Sequence, residues 1–135
     1  MNRKLNVEVI TPLKVYNIGE VDYIKARGVD GYFGVLPRHI PALIVLDIGE
    51  IAFDRNGKRN YIATSGGYCE IRKDRVLFLV ETAEFPDQID VERARESAER
   101  AKMRLKKRDP EIDVDRVIAS MKRAYNRLAV ARRIR

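Results

Sequence analysis

The sequence predicts an α+β chain in two parts: an N-terminal antiparallel β-sandwich or barrel over residues 1–86, then a C-terminal antiparallel two-helix hairpin over 87–135. Three observations predict it. From 4 to 82 apolar residues recur with a period of two in short runs broken by turn residues, the pattern of half-buried strands. Beyond Phe85-Pro86 the period becomes three and four, that of an amphipathic helix. Asp109-Pro110 then interrupts the helical pattern and divides the C-terminal region into a pair of helices.

In order, "KLNVEVI" alternates Leu5, Val7 and Val9 against polar neighbours and stops at Thr11-Pro12. "EVDYIKAR" reads as one strand with Val21, Tyr23 and Lys25 on one face and Asp22 and Ile24 on the other. "EIAFD" and "NYIATS" flank "RNGKR", whose Asn56-Gly57 pair suits the positive φ angles of a tight hairpin turn. "YCEIR" and "RVLFLVET" flank Lys73-Asp74 in the same way. Asp90 is placed to cap the first helix, along which Val91, Ala94, Ala98, Ala101 and Leu105 form the apolar stripe. Asp113 or Asp109 caps the second, with Val114, Val117, Ile118, Met121, Ala124, Tyr125, Leu128 and Ala129 as its stripe. A connection this short folds the helices back on each other. Alanines let them approach closely but bury little area, so the seam is weak and the hairpin can open.

Composition bounds the function. The chain has 135 residues, 27 Lys+Arg against 20 Asp+Glu, and a formal charge of +7. Residues 1–86 carry 12 basic and 11 acidic side chains, whereas 87–135 carry 15 and 9, so the basic character belongs to the C-terminal region. No run approaches the roughly 20 apolar residues of a spanning helix, and "MNRKLNVEV" has no apolar signal core, so a soluble protein without membrane insertion is expected. Cys69 is the only cysteine, which rules out an internal disulfide and reads as a small half-buried strand residue. With one His and one Cys thirty residues apart, the chain offers no metal cluster and no nucleophile with its base, and no carboxylate pair stands out; an enzyme is not expected. Gly66-Gly67 is followed by neither helix nor Lys-Ser/Thr, and reads as a turn and not a phosphate loop.

Helical phase singles out four arginines. Arg93 and Arg100 precede stripe residues Ala94 and Ala101, while Arg123 and Arg127 precede Ala124 and Leu128, so all four lie about 100° to the same side of the seam. In an antiparallel pair equal offsets fall on one edge. Converging like charges need an answer. Either Glu92, Glu96 and Glu99 supply it, as an i,i+4 pair such as Glu96 with Arg100 would, or a polyphosphate does, since guanidinium groups grip phosphate oxygens in a fork.

At these residues the chain resembles the epsilon subunit family of bacterial F-type ATP synthases. "VITPLKVYNIGEVDYIKARGVDGYFGVLPRHIPALIVLDIGEI" is similar to the family's opening strands, with Gly31, Gly34, Leu36, Pro37, His39, Pro41 and Leu43 matching its GxxGxLPxHxPxL stretch. "YIATSGGYCEIRKDRVLFLVETAE" resembles its SGGxxEV hairpin, with Ile71 in place of the valine. "IDVERA" is similar to the I/L-D-x-x-R-A motif of the members that bind ATP, and "RAYNR" to their later Arg-x-x-x-Arg pair.

The resemblance implies a noncatalytic rotor subunit on the cytoplasmic face of the bacterial membrane. Its sandwich would dock on the gamma subunit and the c-subunit ring. Its hairpin would switch between a folded form and an extended one that reaches the alpha and beta subunits of the catalytic head and inhibits ATP hydrolysis. ATP, a regulatory ligand and not a required cofactor, would stabilise the folded form. By the same resemblance its shell would comprise Glu84, Ile89, Asp90, Arg93, Ala94, Arg100, Arg123 and Arg127, with Ile89 and Ala94 against the base and Arg100, Arg123 and Arg127 on phosphates. Glu84 would bond the sugar or an arginine, and Asp90 the adenine or an arginine. Tyr32, Arg38 and His39 fall in the stretch that faces the rotor; many members have glutamate where Tyr32 stands and glycine where Arg38 stands. His39 reads as partner-facing or locally hydrogen-bonded, and less as a pH sensor. Two readings compete: the same subunit without an ATP site, its late arginines Arg132, Arg133 and Arg135 meeting acidic surfaces of the head, and a small basic nucleic-acid-binding module. The latter calls for exposed stacking aromatics, whereas the helices carry only Tyr125, on the apolar stripe; no nucleic-acid partner is expected.

Overall fold

The computed structural model describes residues 4–134. Ten strands come first: β1 Leu5–Ile10, β2 Val15–Val21, β3 Tyr23–Gly28, β4 Gly31–Val35, β5 Ala42–Leu46, β6 Gly49–Arg55, β7 Lys58–Thr64, β8 Gly67–Arg72, β9 Arg75–Val80 and β10 Ala83–Glu84. A 3-10 turn, Pro86–Gln88, leads into α1 (Val91–Lys107) and α2 (Val114–Ala131), closed by a second 3-10 turn, Arg132–Ile134.

The strands form one continuous curled sheet in the order β10-β7-β6-β3-β5-β8-β9-β1-β2, with β4 paired to β3. Alternation puts Leu5, Val7 and Val9 of β1, Ile51 and Phe53 of β6, Cys69 and Ile71 of β8, and Val76, Phe78 and Val80 of β9 into one core. β3 and β5 meet at a single pair, Gly28 with Leu46, so the two layers are folds of one sheet. One pairing departs from the antiparallel expectation: β1 runs parallel to β9, from Asn6 opposite Arg75 to Ile10 opposite Leu79.

The reading of "EVDYIKAR" is corrected. β2 ends at Val21 and β3 begins at Tyr23, and between them the Asp22 amide donates to the Asp54 carbonyl at 2.7 Å. There the chain changes partner from β1 to β6, and the buried face changes with it. Val21, Ile24 and Ala26 are buried, while Tyr23 is half-buried and Lys25 exposed. Asn56 (φ 53°) and Gly57 (φ 75°) both take left-handed angles in the β6–β7 turn, whereas of Lys73-Asp74 only Asp74 does (φ 57°). Gly67 stands where a Cβ would lie 2.0 Å from the Leu79 carbonyl oxygen, so backbone proximity to β9 requires glycine there.

Both helices begin as their aspartates dictate. Asp90 Oδ1 accepts from the Arg93 amide at 3.0 Å, and Asp113 Oδ1 from the Arg116 amide at 3.1 Å. Asp109 serves the connection, accepting from the Glu111 amide at 2.9 Å. Ala94, Ala98 and Ala101 of α1 and Val117, Ala124, Val130 and Ala131 of α2 are buried. Val114 and Tyr125, expected on the stripe, are exposed. Alanines cover only a narrow strip of α2, so Ile118, Met121 and Leu128 stay half-buried and Ala129 is exposed, with Lys102 Nζ 5.6 Å from the Tyr125 ring centre.

The hairpin lies against the sandwich. Ile89, Val130 and Ala131 pack with Ala63, flanked by Tyr61 and Val91. Asn126 Nδ2 donates to the Thr64 carbonyl at 3.3 Å. Arg133 Nη2 meets Glu50 Oε1 at 2.7 Å, and its guanidinium carbon sits 4.6 Å from the Tyr61 ring centre.

Candidate functional site

Where β10, the 3-10 turn and both helices meet, Glu84, Gln88, Asp90, Arg93, Ala94, Ser97, Arg100 and Arg127 line a cleft of about 420 Å³. Arg93, Ser97 and Arg100 share one face of α1 because they are four and three residues apart. Ala94, nearly buried, leaves room behind them. Arg127 reaches from α2 and donates through Nε to Glu84 Oε1 at 2.5 Å.

Arg123 borders this cleft without lining it. With Glu84, Asn126 and Arg127 it faces a small crevice against the Thr64-Ser65 backbone. With Arg100 it faces a larger cleft toward the hairpin turn. The four arginines therefore follow one edge of the hairpin, Arg93 at one end and Arg123 between two clefts.

The glutamates expected to answer them are occupied elsewhere or stand apart. Glu92 pairs with Arg95 at 2.6 Å and Glu99 with Lys102 at 3.6 Å. Among the described residues no carboxylate lies within 4.0 Å of Arg93, Arg100 or Arg123. Glu84 neutralises Arg127 alone. The cleft thus offers fork-shaped donors of a single sign, one polar rim from Asp90 and Gln88, and a small apolar wall, which suits a phosphorylated ligand.

Ile89 is placed differently from its expected role. Its side chain is buried in the contact between hairpin and sandwich and lines none of these clefts, because the residue before the helix cap is drawn into the apolar gap beside Ala63 and Val130. Sequence reasoning misses Gln88 and Ser97, although Ser97 lies within about 60° of both Arg93 and Arg100 around the helix. Gln88 Oε1 accepts from the Phe85 amide at 3.0 Å, which holds the turn. Among the described residues no group of three or more His, Cys, Asp or Glu is placed to hold a metal ion.

Tyr32, Arg38 and His39 do not form one spot. Tyr32 is exposed on β4, its ring 5.2 Å from Lys25 Nζ and 5.7 Å from the Arg27 guanidinium carbon. Arg38 and His39 lie past the other end of β4, in the connection to β5. Arg38 has φ 70°, a left-handed angle that glycine adopts without cost. His39 Nδ1 is 2.7 Å from the Ile40 carbonyl oxygen and donates to it. Beside them the β4–β5 connection exposes Leu36 and Ile40, and the sheet exposes Leu43, Val45, Tyr68 and Leu79. Val45 is paired with Tyr68 and Tyr68 with Leu79, so the outer faces of β5, β8 and β9 present a connected apolar surface. The runs "ALIVL" and "RVLFLV", apolar on both faces, carried that signal.

Burial pushes the Cys69 thiol up to about 12, which leaves it a neutral packing group. No helix among the described residues is long and apolar enough to cross a membrane.

Two family models match the chain. The ATP synthase delta/epsilon chain β-sandwich domain matches residues 4–86, and the delta/epsilon chain long α-helix domain residues 87–132. The ATP synthase epsilon chain of Halalkalibacterium halodurans is 46% identical over 131 residues, 96% of this chain and 98% of that one. The epsilon chain of Desulforamulus reducens is 39% identical over 131 residues, 97% and 99% of the two. In fold, the chain is similar to one in the cryo-EM structure of Euglena gracilis mitochondrial ATP synthase (OSCP/F1/c-ring), with a TM-score of 0.82 at 19% identity over 94% of this chain and 81% of that chain.

Proposed function

The chain belongs to the ATP synthase delta/epsilon chain family, and from that premise we propose a noncatalytic subunit of the enzyme's central stalk that turns with the rotor and whose folded hairpin holds ATP as a regulatory ligand. The sandwich docks on the gamma subunit and the c-subunit ring. The connected apolar surface of β5, β8 and β9, with Leu43, Val45, Tyr68 and Leu79 exposed, supports a protein contact there. The subunit would sit peripherally at the cytoplasmic face of the bacterial membrane, and its hairpin, when released, would reach the alpha and beta subunits of the catalytic head.

One observation carries the ATP reading. Arg93, Arg100 and Arg123 have no carboxylate partner among the described residues, and with Arg127 they follow one edge built from both helices and the sandwich. Arg100, Arg123 and Arg127 would hold phosphates, Arg127 exchanging Glu84 for a phosphate oxygen. Ala94 would face the base. Asp90 keeps one carboxylate oxygen free of its capping bond for the sugar or base. Such a ligand touches both helices and β10, so it is made for the folded form and lost in the extended one. At a hundred times its dissociation constant it adds about 2.7 kcal/mol to folded docking.

The test is calorimetric titration of the isolated protein with ATP and ADP, beside an Arg123→Ala/Arg127→Ala double variant. Selective ATP binding that the variant loses supports the reading. Absence of binding at millimolar ATP overturns the ligand and leaves a mechanical rotor subunit.

A further inference from the structure

The arginine edge continues past the cleft assigned to the nucleotide. Toward the hairpin turn a larger cleft, of about 620 Å³, is lined by Ser97, Arg100 and Arg104 of α1 and by Arg116, Ser120 and Arg123 of α2. The two sets mirror each other. Steps of three and four on α1 face steps of four and three on α2, so each set keeps to one helical face and the antiparallel pairing brings the faces together. Four guanidinium groups and two hydroxyls, all able to donate hydrogen bonds, therefore surround one space.

Among the described residues none of these arginines is held in an ion pair: none of Arg100, Arg104, Arg116 and Arg123 has a carboxylate within 4.0 Å. Two acidic residues border the cleft, Glu111 and Asp113, the latter also capping α2 through the Arg116 amide, against four arginines. Positive charge dominates, and its mutual repulsion opposes closure of the hairpin unless an anion enters. The lining contains no aromatic side chain on which a base could stack.

We propose that this hairpin-tip cleft is a second oxyanion site, separate from the one between Arg93, Ala94 and Arg127, and that it takes free inorganic phosphate. The two clefts share Ser97 and Arg100, and Arg123, assigned above to the ATP phosphates, lines only the tip cleft of the two; Arg104 and Arg116 are the guanidinium groups that belong to the tip cleft alone. Phosphate held between α1 and α2 ties the helices together near their turn and stabilises the closed hairpin by linkage. The inference needs the arginines and not the ATP reading.

The test is a titration of the full chain with inorganic phosphate at constant ionic strength, followed residue by residue through amide NMR shifts, with sodium chloride as the control. Millimolar binding is expected, with shifts centred on residues 100–104 and 116–120. Arg104→Ala/Arg116→Ala, two exposed positions, should weaken it about fivefold or more. Glu84→Ala/Arg127→Ala should leave it within about twofold, and Glu111→Gln should tighten it. Persistence of the phosphate shifts under saturating ATP supports a separate site. No saturable shift, shifts equal to those from chloride, insensitivity to the Arg104/Arg116 pair, or displacement by ATP would each overturn the proposal. Failure of ATP to bind leaves the phosphate titration unaffected, so the two readings fail separately.

Discussion

Where the sandwich buries Phe53, Phe78, five isoleucines and a set of valines in one core, the hairpin buries Ala94, Ala98 and Ala101 against Val117 and Ala124. It touches the sandwich through little more than Ala63, Ile89, Val130 and Ala131, with two ion pairs at the rim. Buried apolar area is what stabilises each region, so the first is a scaffold and the second a lightly held attachment. The difference places function. A rotor subunit needs a rigid surface for its docking partners and an element whose position small binding energies can decide. Charge is divided the same way: Asp54–Arg59 and Glu70–Arg72 pair across the sandwich surface, while the hairpin keeps arginines unanswered along one edge.

The comparison breaks most readily in the core. Phe78 is fully buried on β9, between β8 and the parallel β1. Phe78→Ala should cost about 3–5 kcal/mol and lower the urea midpoint of the strands and the helices together, because α2 has nowhere to dock once β6 and β7 are lost. Helices that kept their circular dichroism while the strands melted would show a hairpin stable by itself, and the asymmetry would be wrong.

Val130→Asp acts on the attachment alone. The side chain is fully buried in the contact with Ala63 and Ile89, and an unpaired carboxylate there should cost about 2–4 kcal/mol, more than so small a contact supplies. Hydrogen exchange should therefore quicken across α1 and α2 while the amides of β1, β8 and β9 keep their protection. Loss of protection in both regions would mean that they form one cooperative unit.

Much of this division is legible in the sequence, and the failures have physical causes. Leu5, Val7 and Val9 declare β1 because one face meets core and the other water. The period of two is silent about partners, so the parallel pairing of β1 with β9 cannot be read from it. Asp22 defeats the alternation because a strand that changes neighbours also changes its buried face. "GYFGV" and "ALIVL" lack alternation, which hides β4 and β5 as strands, although the two-sided apolar run of β5 marks the surface of which it is part. In the hairpin, phase is enough to set Arg93, Arg100, Arg123 and Arg127 on one edge, since the geometry of a helix is local. Resemblance assigns Ile89 to a ligand, while its side chain follows the apolar gap beside it.

A smaller effect sharpens the boundary. Arg133 pairs with Glu50 and covers Tyr61, and the carboxylate favours its charged form. The pair is partly exposed and screened, so Arg133→Ala should weaken docking by less than about 1 kcal/mol. Added salt should weaken the wild type more than the variant, which of the two rim pairs keeps only Arg127–Glu84, so the difference between them shrinks. If packing against the ring carries the contact, the difference between wild type and variant will be the same at every ionic strength.

The smallest expected effect is the most discriminating. Cys69 is the only cysteine, fully buried on β8, and its thiol is raised to about 12 by burial. Raising the pKa favours the neutral form, so below that value the native thiol stays protonated and shielded, and alkylation at pH 8 must wait for the sandwich to open. Its labelling rate therefore reports on the scaffold and is blind to the hairpin. Val130→Asp should leave that rate within about twofold of wild type, because a sub-global opening of the helices does not expose β8, whereas Phe78→Ala should raise it by two orders of magnitude or more, about 1.4 kcal/mol corresponding to each tenfold step. A Val130→Asp protein that labels as fast as Phe78→Ala would show that the light attachment steadies the scaffold as well as resting on it.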